Sequence, residues 1–153
     1  MENAPSRSHL ESEKITNPAV DTILSGLAIW LNQTANFEKE GENLEKCVDQ
    51  GLVQACRPLL DILKIDQKVC VSLDYSYLSL TNKIKRRWGY TVLQTGPGPA
   101  RFHNTKGPAF VVPIHITGCP TASGVELIPG STLYITEEIE VGPGLVGLFI
   151  AVL

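Results

Sequence analysis

Residues 107–153 read GPAFVVPIHITGCPTASGVELIPGSTLYITEEIEVGPGLVGLFIAVL, and this stretch decides the fold. Phe110, Val111 and Val112, then Ile114, His115 and Ile116, form an apolar run interrupted by Pro113. Proline cannot donate to a ladder, so this run is expected at a sheet edge or at a bulge. Ser123-Gly124 leads into a short run over 125–128, and Pro129-Gly130 is a turn pair, with proline presetting one φ and glycine accepting a positive one. Residues 132–136 then alternate, with Leu133 and Ile135 on one face and Thr132, Tyr134 and Thr136 on the other. Ile139 and Val141 alternate with Glu138 and Glu140 in the same way. After Gly142-Pro143-Gly144, residues 145–153 are nearly all apolar, as in a strand covered on both faces. Short strands at this spacing predict a small sandwich or barrel.

Working outward, the chain has 153 residues, 43% hydrophobic and 19% charged, which suits one folded domain with a substantial core. The net charge of −3 gives no overall attraction to nucleic acid or anionic lipid. Residues 1–16 are polar and read as a flexible tail, and residues 17–153 as one domain, helical over 17–65 and β-rich over 66–153. The first residues carry no apolar core of a secretory signal, and no run reaches the ~18 apolar residues of a spanning helix. Cys47, Cys56, Cys70 and Cys119 are scattered without ligand spacing, so reduced thiols in a cytoplasmic or nuclear setting are expected, with no metal and no cofactor.

Asn17 and Pro18 open a helix as cap and first residue, and Asp21 sits in its first turn. Val20, Ile23, Leu24, Leu27, Trp30 and Leu31 give it one apolar stripe, ending near Gln33. Residues 37–42 read as a charged connector, and residues 42–65 as a second helical region that Pro58 must end or kink. Residues 68–73 and 90–93 read as strands, and the stretch from Ser76 to Trp88 as a helix. Residues 95–108 hold three glycines and three prolines and read as a long exposed loop. The predicted architecture is α+β: an N-terminal helical cluster followed by a mostly antiparallel β-sandwich or barrel-like sheet.

Two surfaces are candidates for function. Lys83, Lys85, Arg86 and Arg87, before Trp88, form a basic cluster that Arg101 and Lys106 extend if the loop folds toward it. Such a patch suits nucleic acid or an anionic membrane surface. A solvated helix end would look the same, because cations favour the last turn. The second surface is the closing strand, where Leu145, Val146, Leu148, Phe149, Ile150, Val152 and Leu153 would leave an open apolar edge unless buried, and a second copy of the chain could bury it. His103 and His115 have no partner at catalytic spacing, no nucleophile sits in an elbow, and the prolines of 96–99 remove the N–H groups a phosphate loop needs.

Residues 114–147, with Pro129-Gly130, Thr136, Ile139, Val141 and Pro143-Gly144, resemble the first half of the dUTPase and dCTP deaminase β-fold. The resemblance covers about a quarter of the chain and rests on turn and core residues. His115 stands where that family has an acidic residue, its Arg-Ser phosphate motif would begin just past Leu153, and its later motif with the water-activating Asp is missing. The resemblance therefore implies a non-enzymatic relative that keeps the barrel and its tendency to trimerise, as in some viral proteins of structural or matrix type. The expected function is a non-catalytic, self-associating structural or interaction protein. The alternatives are a binder of nucleic acid or membrane surfaces through residues 83–88, and a fragment of a dUTPase-like enzyme of nucleotide metabolism.

Overall fold

A computed structural model describes residues 11–65, 88–103 and 109–152. In chain order the elements are β1 (Glu11–Lys14), α1 (Val20–Gln33), β2 (Phe37–Gly41), β3 (Leu44–Cys47), α2 (Leu52–Ile65), β4 (Trp88–Thr95), β5 (Ala100–Phe102), β6 (Ala109–Ile116), β7 (Thr121–Ala122), β8 (Val125–Glu126), β9 (Ser131–Ile135), β10 (Ile139–Val141) and β11 (Leu145–Val152). Among the described residues they form a seven-stranded sheet, β1-β9-β6-β11-β4-β3-β2, and a four-stranded sheet, β5-β10-β7-β8. Every pairing is antiparallel. The α+β class with a mostly antiparallel sheet matches the sequence reading, as an open two-sheet stack rather than a closed barrel.

Strand alternation makes three layers out of this order. A strand turns successive side chains to opposite faces, and the larger sheet uses both. Val92, Phe110, Val112, Leu148 and Ile150 pack with Val20, Leu24, Leu27 and Leu31 of α1 and Cys56, Leu59 and Leu63 of α2. Leu93, Ala109, Val111, Leu133, Ile135, Leu145 and Phe149 instead meet Ala122, Ile139 and Val141 of the smaller sheet. The seven-stranded sheet is thus the middle layer. β11 is central in it, with β4 on one side and β6 on the other.

Pro113 lies inside the larger sheet, at a bulge. Val146 pairs with His115 and Gly147 with Pro113, so Ile114 has no opposite residue. On the far side β6 pairs with β9 only over Ala109, Phe110 and Val111, and the missing N–H of Pro113 interrupts no bond there. Of the two expected placements, edge or bulge, the bulge is the one that occurs.

Three expectations are corrected, and one of two alternatives is removed at Pro58. Residues 11–14, assigned to the tail, form β1 against β9, and Ile15 after them is 1% exposed, because Ile15 N–H bonds to Gly130 O and carries its side chain beneath the helices. Residues 37–47, assigned to connector and helix, are the hairpin β2–β3. Its turn places Asn43 at φ 60, a conformation asparagine tolerates. Of the two outcomes expected at Pro58, ending α2 does not occur: the helix continues to Ile65, with Pro58 and Gln54 both exposed. The loop over 95–108 contains β5, paired with β10. The strand over 68–73 and the helix from Ser76 lie outside the described residues.

α1 begins at Val20 with Ala19 at its cap, two residues later than expected. Asn17 Oδ1 accepts the Ala19 N–H at 2.9 Å in the turn before the helix and does not cap it, and the helix ends at Gln33 as expected. No described helix is long and apolar enough to cross a membrane.

Candidate functional site

The closing strand is placed in the interior of a single protomer. Leu145, Leu148, Phe149 and Ile150 are buried, Val146 is half-buried, and both edges of β11 are paired. The expectation that these side chains bind a second copy is therefore corrected: the helices cover one face and the smaller sheet the other. Val152 ends the strand, and Leu153 lies outside the described residues.

Of the basic candidates, Lys83, Lys85, Arg86, Arg87 and Lys106 also lie outside the described residues. Arg101 lies on β5, where its guanidinium is 3.4 Å from Glu138 Oε1. Across the ladder it faces Glu140. This sheet face also presents Glu126, so Arg101 stands among carboxylates.

Cys47 and Cys56 are both buried against the helices, as small core residues. Burial pushes the Cys56 thiol up to about 12, with the neighbouring Cys47 adding to it. Burial also raises the Cys47 thiol, partly offset by a backbone hydrogen bond involving Asp49. Neither is a thiolate nucleophile near neutrality. Among the described residues no three His, Cys, Asp or Glu side chains gather to hold a metal ion.

The bulge at Ile114 brings a histidine to a polar recess on the helix side. Strict alternation would turn His115 away from both Ile114 and Ile116, and that is what the sequence predicts. Instead Ile114 packs under the helices, His115 lines a cleft beside them, and Ile116 turns to the inter-sheet core. In register across five strands run Lys39, Glu45, Gln94, Val146 and His115. Partners in register share a face, so this row is a polar shelf where α1 ends. The cleft has a volume of about 200 Å³ and is lined by Ala28, Leu31, Asn32, Ala35, Phe37, Gln94, His115 and Val146. Its walls are apolar and its rim carries an amide, a second amide and an imidazole.

Gln94 Nε2 donates to Glu45 Oε1. A carboxylate only accepts, so this contact fixes the amide orientation and leaves Gln94 Oε1 as its unused acceptor. No side-chain hydrogen bond to another described residue engages the His115 ring or the Asn32 amide, so His115 has no orienting carboxylate among the described residues. The arrangement is suited to binding, since acid–base catalysis requires a partner within reach. His115 was visible in the sequence as a polar residue in an apolar strand. Asn32, Phe37 and Gln94 come from three other elements, and only the fold assembles them. No family model, no curated protein and no solved structure matches the chain.

Proposed function

We propose that the protein is a non-catalytic structural or interaction protein that self-associates, and that it does so through the outer face of α1. The observation that carries this reading is the composition of that face. Thr22, Ser25, Gly26, Ile29 and Gln33 are all exposed, Ile29 to 56%, and no charged residue occurs from 22 to 37. The outward face of a surface helix is ordinarily charged or strongly polar. Small side chains there let a second helix approach closely, and an added Cβ at Gly26 would meet nothing. Asp21, exposed one turn before Ser25, puts a carboxylate at the start of this stripe; beyond it the face is uncharged, and there two copies of a chain of net charge −3 repel each other least. The exposed strands β1 and β2 are rich in Glu and Lys, and the edge strands of the smaller sheet are two or three residues long, which disfavours joining through sheet edges.

The test is size-exclusion chromatography with light scattering at micromolar concentration. The native chain is expected above its 16.7 kDa monomer mass, and the pair Ser25→Lys and Ile29→Glu is expected to return it to that mass without loss of helical circular dichroism. A native chain that stays monomeric overturns the reading. The likeness to the dUTPase and dCTP deaminase fold remains a proposal about ancestry, supported by the Pro/Gly turns at Gly130 and Gly144, both with positive φ, between antiparallel strands.

A further inference from the structure

We propose that the cleft at the end of α1 is a binding site for a small aromatic ring bearing a planar N–H-donor head, an amide or amidine. Size sets the first limit. At ~30 Å³ per water, the 200 Å³ recess holds roughly seven waters, enough for one ring and its head group and below the range of most cofactor sites. The walls set the second: Leu31, Ala28, Phe37 and Val146 offer apolar surface to a ring.

Polarity of the rim selects the head. Gln94 is held by Glu45 with its carbonyl oxygen unused, and Asn32 adds a second amide acceptor. The cleft also adjoins the C-terminal end of α1, where the last carbonyls have no intrahelical donors. Trp30 O is already shared by Thr34 and Ala35 N–H, and the last turn contains no basic residue to offset the negative end of the dipole. Acceptors and a negative helix end together favour a ligand that donates. Lys39 opposite Glu45 balances the nearest full charge, so a neutral amide qualifies as well as a cationic amidine. A carboxylate head could accept from Asn32 Nδ2 or a His115 ring N–H, but it leaves Gln94 Oε1 unanswered and meets the negative end of α1. The site is separate from the outward stripe of α1 proposed for self-association and does not depend on it.

The experiment is NMR titration of the full chain with benzamide and benzamidine, with benzoate as control, following the His115 ring and the Asn32 and Gln94 side-chain amides. Saturable shifts confined to these groups are expected with both donors at millimolar ligand, and none with benzoate. Ala28→Leu, which keeps a good helix former while filling the cleft, is expected to weaken binding at least about tenfold. His115→Ala, at an exposed position, serves as a second variant that leaves the core intact and should also weaken it. Equal binding of benzoate, binding unaffected by Ala28→Leu in a folded protein, or no saturable shift with either donor overturns the proposal.

Discussion

Leu148 and Phe149 are neighbours in β11 yet belong to different cores. Leu148, fully buried, packs beneath the helices, while the Phe149 ring crosses to the inter-sheet layer and lies 4.5 Å from the Phe102 ring of β5, centroid to centroid. Cutting either side chain back should therefore loosen a different layer. Leu148→Ala is expected to cost ~2–5 kcal/mol and Phe149→Ala ~3–5 kcal/mol of stability in urea unfolding. An unchanged midpoint in either variant would show that the corresponding layer does not pack on β11.

The glycines of the chain differ in what they allow. Gly144 has φ +100, and a Cβ there would collide with the Thr117 carbonyl oxygen, whose residue also donates its N–H to Gly144 O. Gly144→Ala should lower stability by more than 2 kcal/mol, since left-handed strain and a backbone clash act together. Gly26, mid-helix and unobstructed, should behave in the opposite way: Gly26→Ala is expected to raise stability by ~0.5–1 kcal/mol. A raised melting point for Gly144→Ala would contradict the first assignment, and a lowered one for Gly26→Ala the second.

Asn43 ties the β2–β3 hairpin to the turn after β4. Its Nδ2 donates to Pro99 O at 3.1 Å, and its own carbonyl accepts the Gly96 N–H at 2.7 Å. Asn43→Ala loses the side-chain bond and keeps the positive φ, so a loss of ~1–2 kcal/mol is expected. Asn43→Gly loses the same bond but relieves the backbone, and should cost measurably less. Equal losses would show that the bond, and not the conformation, is the whole effect.

Stability should fall steeply at alkaline pH. The folded Cys56 thiol titrates at about 12 against an ordinary 9.0, because the buried thiolate would lose its water. The protonated thiol is thus favoured by folding, and its contribution is full below pH 9. It is lost as the pH rises toward 12, where the unfolded chain has released a proton that the folded one still holds. The shift corresponds to ~4 kcal/mol at most. The raised Cys47 thiol and Tyr90 phenol act with the same sign. Urea midpoints measured across this window should drop for the native chain and drop less for Cys56→Ala; parallel curves would remove Cys56 from the account.

Legibility in the sequence followed burial. β9 and β10 were readable because Leu133, Ile135, Ile139 and Val141 face one core while Tyr134 and Glu140 face water. β11 was readable because both its faces are covered, though the residues alone could not say that the covers belong to the same protomer. β1 and β2 were missed because they are edge strands: ESEK and FEKEG carry charge where a core strand carries valine, and while β2 pairs with the adjacent β3, β1 takes its conformation from distant β9. At Pro58 the residues left two outcomes open, an end or a kink, and the helix runs on to Ile65 with Pro58 and Gln54 both exposed. The cleft was illegible for another reason. Ala28, Leu31, Asn32 and Ala35 follow a helical spacing, but Phe37, Gln94, His115 and Val146 come from four strands, and the bulge that turns His115 into the cleft depends on how β6 and β11 align.

The pairing of β1 with β9 has a consequence for the order of assembly. Glu13 O accepts from Thr132 Oγ1 across 119 residues of chain, so one flank of the larger sheet stays unfinished until most of the polypeptide has emerged from the ribosome. At ~5–20 residues per second that wait lasts roughly 6–24 s. Through it Ile15 has no Gly130 carbonyl to bond, and the strand of residues 11–14 waits without its partner.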